Sequence, residues 1–241
     1  MSTAAILIIG NEILSGKVQD ENGPFLTREL RALGVDLRRM ETVPDEVPLI
    51  VDALQRCRAH GHWVFTSGGI GPTHDDVTIA AVAQALGRAV VADPRTLELL
   101  RSRFEQPLKP ALRRLAEVPE GAKVEFHEGY LFPVLSVENV VILPGVPSLL
   151  REGFLRLRER FRVSPIHSRA LYFSVGEGTL AEHLDATVAR FPGVGIGSYP
   201  RFDAADHRVK VTFDGRDDAQ VKAACEFLKA RLPAETIVRE E

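Results

Sequence analysis

The feature that most restricts the fold of this chain is a threefold alternation of strand and helix across its first 87 residues. Residues 4–9, AAILII, form the continuous apolar run that is typical of a strand covered on both faces. Residues 36–43 and a segment beginning at Trp63 predict two more strands, and apolar residues at helical spacing follow each of the three. Because successive β-α-β units lay helices over a parallel sheet, we predict a mainly parallel sheet with helices on both faces.

A fourth buried strand and a second, smaller domain are predicted further along the chain. NVVIL, residues 139–143, has the composition of a buried parallel strand and precedes a helix that ends near Phe161. After Pro165 the predicted order becomes β-α-β-β-α-β, the split βαβ arrangement. The sequence therefore predicts an α/β domain over residues 1–165 and a small α+β domain over residues 166–241.

The stretch from 94 to 135 has a weaker pattern. It predicts one helix over about 96–104 and short extended pieces near 123–127 and 131–137. Elsewhere, four polar residues stand where helix N-caps are expected, and they are Asn22, Asp45, Thr179 (with Glu182 in a capping box) and Asp217.

Composition and charge exclude several classes of protein. A hydrophobic share of 45% and a charged share of 26% are globular and argue against disorder. The balance of 30 basic against 33 acidic residues lacks the basic field of nucleic-acid binders, so no nucleic-acid partner is expected. No basic n-region precedes the first apolar run, and no stretch approaches the ~20 apolar residues of a membrane span, so we expect a cytoplasmic protein without membrane attachment.

Polar or glycine-rich turns follow all four predicted strands of the first domain. GNEIL and then QDEN follow the first strand, VPDE the second, TSGGIGPTHDD the third and PGVP the fourth. Ligands of open α/β sheets bind beyond the carboxyl ends of the strands. The four turns therefore predict one ligand site at this edge of the sheet.

The third turn predicts a phosphate site. Its glycines, Gly68, Gly69 and Gly71, let backbone amides approach a ligand closely, and the helix that follows offers a partial positive charge. We expect the neighbouring polar and rigid residues of the turns to contact the ligand too, namely Ser67, Pro72, Thr73, Gly145 and Pro147. The turn is neither a P-loop nor a dinucleotide fingerprint, since no Gly-Lys-Ser/Thr follows and His74 stands at the third glycine position. A turn that needs glycine for packing alone is the alternative.

Two consecutive carboxylates, Asp75 and Asp76, follow these glycines and would repel a phosphate. The conflict disappears if a divalent cation lies between them, because carboxylates and substrate phosphates together hold Mg²⁺ or Mn²⁺. Glu12, Asp20 and Asp45 lie on neighbouring turns and could complete the metal site or orient an attacking water. We predict Asp75, Asp76 and Glu12 as metal ligands. Helix capping or solvent exposure is the alternative for each carboxylate, and for Asp76 it is a cap on the following helix.

In the second domain, the GSYP segment ends a predicted strand. Ser198 and Tyr199 are candidate ligand contacts, because Tyr199 could stack on a flat ring if this domain covers the site. An ordinary half-buried tyrosine is the alternative.

Taken together, IGNEILSG, QDEN, VPDE, SGGIGPTHDDVT, LPGVP and GSYP resemble the MoaB/Mog, or molybdopterin-binding-like, family. The likeness is to the branch that includes the amino-terminal part of CinA, and above all to the corresponding domain of eukaryotic FAD synthase through residues 132–150. It covers essentially the whole chain. The resemblance implies a three-layer MogA-type α/β fold plus a small α+β domain, and a homo-oligomer, either dimer or trimer.

The resemblance also implies a chemistry. Family members that make molybdenum cofactor adenylylate molybdopterin with aspartates that match Asp45 and Asp76, whereas CinA-like and FAD-synthase-like members look like pyrophosphatases that cleave FAD or ADP-ribose and release AMP. The expected cofactor is Mg²⁺, Mn²⁺ or Co²⁺, with K⁺ assisting. We therefore predict a metal-dependent pyrophosphatase in which Asp76, Asp45 and Glu12 are catalytic and Asn11, Asp20 and Asn22 contact the ligand or support the residues around it.

Two alternatives remain open, a molybdopterin adenylyltransferase and a non-catalytic nucleotide- or pterin-binding module. Ile70 replaces the threonine of the cofactor-making GGTG form, which weakens the adenylyltransferase interpretation. Leu149 stands where many CinA-like chains carry glutamate after PGVP, so no further carboxylate is expected there.

Overall fold

The computed structural model describes residues 2–130, 132–202 and 206–241. The chain divides into two compact units, Met1–Val163 and Ser164–Glu241, so the division falls two residues before the predicted boundary. Within the described residues, no helix is both long enough and apolar enough to cross a bilayer.

The first unit is built on a six-stranded sheet of order β2-β1-β3-β8-β7-β6. The strands among its described residues are β1 (Thr3–Ile9), β2 (Asp36–Val43), β3 (Trp63–Ser67), β4 (Val90–Ala92), β5 (Glu117–Pro119), β6 (Lys123–Glu125), β7 (Val134–Val137) and β8 (Val140–Leu143). Strand β1 pairs parallel with β2 and β3, and β3 pairs parallel with β8. Strand β7 pairs antiparallel with β8 and β6. The prediction of a mainly parallel sheet is confirmed.

Helices cover both faces of this sheet. They are α1 (Asn11–Leu14), α2 (Asn22–Ala32), α3 (Val47–His60), α4 (Thr78–Ala85), α5 (Pro94–Arg103), α6 (Pro110–Arg114) and α7 (Pro147–Leu157), and the last continues into a 3₁₀ turn over Arg158–Phe161. Alternate residues of β1 enter two separate cores: Leu7 packs with residues of α3 and α4, and Ile6 packs with residues of α2 and α7. This three-layer packing explains why β1 is apolar along its whole length, because both of its faces are buried.

The segment between α4 and β7 departs most from the prediction. Helix α5 lies where a helix was expected, but α6 and the antiparallel pair of β4 with β5 were not predicted. Strands of three residues are too short to show a periodicity. The segment has a small core of its own, in which Leu100, Leu108 and Ala116 are buried and Leu115 and Phe132 pack against them. Leu131, where one predicted extended piece begins, lies outside the described residues.

The second unit has the predicted β-α-β-β-α-β order. Its elements are β9 (His167–Phe173), α8 (Glu177–Arg190), β10 (Gly195–Pro200), β11 (Val209–Gly215), α9 (Asp218–Lys229) and β12 (Ile237–Glu240). The four strands pair antiparallel in the order β10-β11-β9-β12. A core that includes Phe173, Phe213 and Leu228 lies entirely within this unit.

Helix caps were predicted with mixed success. Asp217 caps α9 as expected, because its carboxylate accepts hydrogen bonds from the amides of Ala219 and Gln220 at 2.9 and 3.2 Å. The predicted capping box at Thr179 is wrong, since α8 begins at Glu177 and Thr179 lies inside it. Asn22 and Asp45 do not cap their helices either, and their side chains bind other turns near the candidate site.

Candidate functional site

A cavity of about 620 Å³ lies at the carboxyl ends of the parallel strands. The turns that follow β1, β2, β3 and β8 all contribute to its wall. Ten residues predicted for the site line it, namely Glu12, Asp45, Gly68, Gly69, Gly71, Pro72, Thr73, Asp75, Asp76 and Gly145. The tertiary structure thus brings together side chains from four separate turns.

A second cavity of about 560 Å³ shares part of this wall. It is lined by Asn11, Glu12, Leu14, Ser15, Lys17, Asp45 and Asp75. Glu12, Asp45 and Asp75 line both cavities, so these three carboxylates lie where the two spaces meet. A ligand that occupied both spaces would pass beside all three.

Gly68 is required by packing. Its φ is +104°, and a Cβ added there would lie 2.1 Å from the carbonyl oxygen of Ile9. Its amide donates to the carbonyl of Leu143 at 3.2 Å, so it is not available to a ligand. The packing interpretation therefore holds for Gly68. Gly69 is restricted too, since its φ is +65° and a Cβ there would lie 2.3 Å from Oγ1 of Thr78.

The next three amides of the turn are available to a ligand. Within the described residues, the backbone N–H groups of Gly69, Ile70 and Gly71 donate to no protein acceptor. The carbonyl oxygens of Gly68 and Gly69 are both used, since they accept from the hydroxyl and the amide of Thr78 at 2.8 and 2.9 Å. Successive free amides in a turn that leads into a helix form an anion site. The available donors are the amides of 69–71, so that of Gly68, the first of the three predicted glycines, is not among them.

Thr73 and the two aspartates close the same turn. Oδ2 of Asp76 accepts the amide of Thr73 at 2.8 Å and also its hydroxyl. Asp76 does not cap α4, whose N-terminus receives no side-chain hydrogen bond. The pKa of the exposed Asp75 carboxyl lies below its usual value, and the nearby Thr73 side chain is the largest cause. Asp75 is consequently ionised at neutral pH.

Asp45 joins two turns. Its Oδ2 accepts the backbone amide of Asn11 at 2.8 Å, which ties the turn after β2 to the start of α1. The helix cap predicted for Asp45 is wrong, because the N-terminus of α3 receives no side-chain hydrogen bond. Asn11 itself lines the second cavity and not the first.

Asp20, Asn22 and Ser67 support the site from behind. Asn22 is only 6% exposed, and its side-chain amide donates to Oγ of Ser67 at 3.0 Å and to the carbonyl of Gly145 at 2.7 Å. Asp20 accepts the amides of Asn22 and Gly23 at the start of α2, the role that had been predicted for Asn22. None of the three lines either cavity. Their hydrogen bonds support the turns, and their contact with a ligand stays a prediction.

Three further predicted contacts lie elsewhere. Pro147 is the first residue of α7 and is not part of either cavity wall. Ser198 and Tyr199 belong to β10 in the second unit, where the Ser198 hydroxyl donates to Glu177 at 2.6 Å and Tyr199 is 54% exposed. Contact of these two residues with a ligand stays a prediction.

Sequence reasoning missed the apolar half of the cavity. Its wall includes Ile70, Ile79, Leu115, Phe132, Leu135, Val146 and Leu149. Several of these residues, with Arg114, Glu117 and Tyr130, come from the weakly patterned segment before β7, where no sequence signal marks them. Ile70 and Leu149, the two departures from the family motifs, both lie in this wall, where apolar side chains suit their surroundings.

Tyr130 anchors the cavity wall on the side of α7. Its hydroxyl donates to the carbonyl of Leu149 at 2.9 Å, and burial raises its pKa to about 12. The phenol therefore remains protonated at neutral pH and holds the wall in place.

The carboxylates of the cavity suit a metal ion only if oxygen atoms of a bound ligand complete its coordination. Across the described ranges, no three His, Cys, Asp or Glu side chains are grouped closely enough to hold an ion by themselves. The cavity nevertheless combines five carboxylates with a single basic side chain, that of Arg114. Hard oxygen donors of this kind bind Mg²⁺ or Mn²⁺ through one or two carboxylates plus substrate phosphates. The donor set thus suits a cation completed by phosphate oxygens.

The first unit is thus a doubly wound α/β domain with a ligand cavity at the carboxyl ends of its parallel strands. A family model described as "Probable molybdopterin binding domain" matches residues 5–162, and one described as "FAD synthase, middle domain" matches residues 165–241. The chain belongs to the probable molybdopterin binding domain family. The resemblance inferred from the motifs, and the MogA-type fold that it implied, are confirmed.

Two relatives and one solved structure illustrate the relationship. An Archaeoglobus fulgidus protein is 32% identical over 91% of this chain and 93% of its own length. A "Probable FAD synthase" of Caenorhabditis briggsae is 30% identical over 95% of this chain, which spans only 49% of that protein. The crystal structure of "the protein CinA with unknown function from Thermoplasma acidophilum" is similar with a TM-score of 0.62 and 27% identity, over 66% of this chain and 98% of that one.

Proposed function

We propose that this protein is a divalent-metal-dependent pyrophosphatase that hydrolyses the diphosphate of a nucleotide derivative such as FAD or ADP-ribose. The observation that carries the proposal is the pairing of three free amides at 69–71 with the carboxylates that follow them in the same turn. Amides favour an anion and carboxylates oppose it, so a diphosphate with a bound cation satisfies both.

The two cavities support a ligand with an organic group on each side of the diphosphate. The larger one offers an apolar wall suited to a flat ring, and the smaller one is lined mainly by polar residues such as Asn11, Ser15 and Lys17. Glu12, Asp45 and Asp75 lie where the cavities meet. A diphosphate held there would leave one group in each space, as in FAD or ADP-ribose.

In the proposed reaction, water adds to one phosphorus atom and the P–O–P linkage breaks. FAD would give AMP and FMN, and ADP-ribose would give AMP and ribose 5-phosphate. The amides of 69–71 bind the phosphoryl oxygens on which charge accumulates. Asp76 has the water-orienting role, because Oδ2 is occupied by Thr73 whereas Oδ1 meets no protein donor among the described residues.

One or two of the carboxylates of Glu12, Asp75 and Asp76 would hold the cation, and phosphate oxygens would complete its ligands. A bound Mg²⁺, Mn²⁺ or Co²⁺ supplies neutralisation of phosphoryl charge and a lowered pKa of coordinated water. Asp45 keeps the turn after β1 in place through its hydrogen bond to Asn11. The involvement of K⁺ remains a prediction from the family resemblance.

A pterin ligand is the second candidate, because the matching family model is described as a probable molybdopterin binding domain. The apolar wall suits a pterin ring as well as a flavin or an adenine.

A hydrolysis panel separates the candidates. FAD, ADP-ribose, and ATP with molybdopterin are each incubated with Mg²⁺, Mn²⁺ or Co²⁺, and the products are resolved by chromatography. AMP from FAD or ADP-ribose supports the pyrophosphatase, adenylylated molybdopterin supports the adenylyltransferase, and binding without any product supports the binding module.

Asp76→Asn tests the assignment of the reaction to this cavity. Loss of the carboxylate should lower kcat for AMP release by about 100-fold or more, the usual scale for a proton-transfer or water-orienting group. The thermal midpoint should change little, since Asp76 is only half-buried. Asp185→Asn, an exposed carboxylate on α8, is the matched control and should leave kcat unchanged. Full activity of the Asp76 variant would place the reaction elsewhere.

A further inference from the structure

Arg114 is the one basic side chain in the wall of the larger cavity, within the part of the chain that the structure describes. It is the last residue of α6 and is half-buried. Its Nη1 donates to the carbonyl of Thr73 at 2.7 Å, and its Nη2 donates to the carbonyl of Asp76 at 3.0 Å. The two carbonyls lie on either side of Asp75 in the chain, so one guanidinium holds both ends of the acidic turn.

Few other contacts fix this turn. The hydrogen bonds from Thr73 to Asp76 are local, so they shape the turn without attaching it to the rest of the fold. At its two ends the turn is attached by hydrogen bonds from Thr78 to Gly68 and Gly69 and by packing of Ile70 and Val77 on the core. Among the described residues, the hydrogen bonds that reach its middle, 73–76, from a distant segment are the two from Arg114.

Helix α6 is itself attached to the apolar wall. Leu115, the next residue, lines the cavity and packs with Phe132 against the small core of Leu100, Leu108 and Ala116. The guanidinium thus connects two parts of the cavity that are far apart in sequence, the acidic turn and the wall that would receive a ring. A planar guanidinium can donate to two carbonyls at once in a fixed geometry, which an ammonium group cannot do.

We propose that Arg114 is a positioning residue that holds the carboxylates of Asp75 and Asp76 in register with the ring-binding wall of the cavity. It acts through the main chain of the turn and not through contact with the reacting phosphate. The inference deepens the proposed pyrophosphatase function, on which its kinetic consequences rest. The attachment of the turn by Arg114 can be tested without any turnover.

The test compares Arg114→Gln with Arg113→Gln, a neighbouring exposed arginine of the same helix that does not line the cavity. Hydrogen exchange of the peptide covering 69–78 should be faster in the Arg114 variant and unchanged in the Arg113 variant. For FAD hydrolysis with Mn²⁺, kcat should fall by about 10- to 100-fold in the Arg114 variant, while KM changes by less than about threefold. Small misplacements of catalytic groups have effects of this size.

Arg114→Lys, which keeps the positive charge but loses the rigid planar fork of donors, should give an intermediate kcat and intermediate exchange. The thermal midpoint of each protein is measured as well. The lysine variant and these midpoints together show whether a loss of activity is caused by unfolding of the α6 segment. Equal exchange in the two glutamine variants would overturn the proposal, and so would a rise in KM at unchanged kcat, which indicates direct ligand binding. If wild-type protein releases no AMP from any substrate, the pyrophosphatase assignment fails and the exchange comparison alone decides the role of Arg114.

Discussion

Gly68 shows how closely the backbone is packed beneath the candidate site. Its φ of +104° is strained for any residue with a side chain, and the carbonyl of Ile9 occupies the space that a Cβ would need. The clash is with backbone, so no side-chain rotation can relieve it. Gly145 packs against Gly68, since a Cβ at residue 145 would lie 3.2 Å from the Cα of Gly68.

We expect Gly68→Ala to lower the free energy of unfolding of the first unit by about 3 kcal/mol or more, because strain and a backbone clash add. Gly87→Ala is the matched control. Gly87 also has a positive φ, +64°, but nothing lies within 4 Å of the position that a Cβ would take, so the cost should be about 1 kcal/mol. Urea denaturation of both variants gives the comparison. Equal losses would show that the close approach to Ile9 contributes nothing.

At the same scale, several polar residues lie in the predicted turns but have other partners than expected. Asp20 caps α2 in place of Asn22, and Asn22 instead links the turns after β3 and β8. Asp45 binds the turn after β1 instead of its own helix. Residue type and spacing identify hydrogen-bonding capacity, whereas the choice among acceptors and donors depends on which turns the sheet brings together.

At the scale of elements, β6 is joined to the 3₁₀ turn after α7 by a charged contact. Arg160 donates two hydrogen bonds to Glu125 on β6, and Lys123 lies 3.0 Å from the same carboxylate. The hydrogen bonds from Arg160 are the largest cause that lowers the pKa of Glu125 from 4.5 to about 2. The contact connects an edge strand of the sheet to a segment distant in sequence.

Glu125→Gln should therefore destabilise the protein in a pH-dependent way. The folded state favours ionised Glu125, so its contribution is present above about pH 4.5 and is lost as the pH falls through about 2. At neutral pH we expect a difference of about 1 kcal/mol in the free energy of unfolding, because Arg160 is 43% exposed and solvent screens the pair. Urea denaturation of both proteins from pH 7 to pH 2 measures the difference.

The control for this prediction is Glu98→Gln, which changes an exposed carboxylate on α5. Its free energy of unfolding should follow that of the wild type at every pH. A gap between wild type and the Glu125 variant that persists unchanged at pH 2 would contradict an ionic origin of the stabilisation.

For the whole molecule, the division at Val163 and Ser164 separates two sets of buried residues. The core of the second unit draws on its own helices and strands, among them Phe173, Phe213 and Leu228. All four strands of its sheet also come from this unit. These features meet the requirements of an independently folding domain.

We expect residues 164–241, expressed alone, to unfold cooperatively in urea and to keep a near-ultraviolet circular dichroism signal. Phe213→Ala in the same fragment is the control. Removal of a fully buried aromatic side chain costs about 3–5 kcal/mol, a large part of the stability of a domain of this size, so the variant should lose most of that signal. A gradual, non-cooperative transition of the unmodified fragment would show that the second unit depends on the first.

Assembly into a dimer or trimer and a cytoplasmic location stay predictions for the intact protein. The same holds for the identity of the metal, since the carboxylates in the cavity do not distinguish Mg²⁺, Mn²⁺ and Co²⁺ by type.

The sequence by itself determined the class of fold and the edge of the sheet at which the candidate site lies. Runs such as AAILII and NVVIL predict buried parallel strands, and the turns after such strands must meet at one edge. Only the tertiary structure decided which turn residues face the cavity, that the free amides are those of 69–71, and that Arg114 and an apolar wall complete the site. Local periodicity reports burial. Hydrogen-bond partners, and a cavity wall to which Leu115 and Phe132 contribute with residues of other turns, arise from contacts between segments far apart in the chain, which no local pattern encodes.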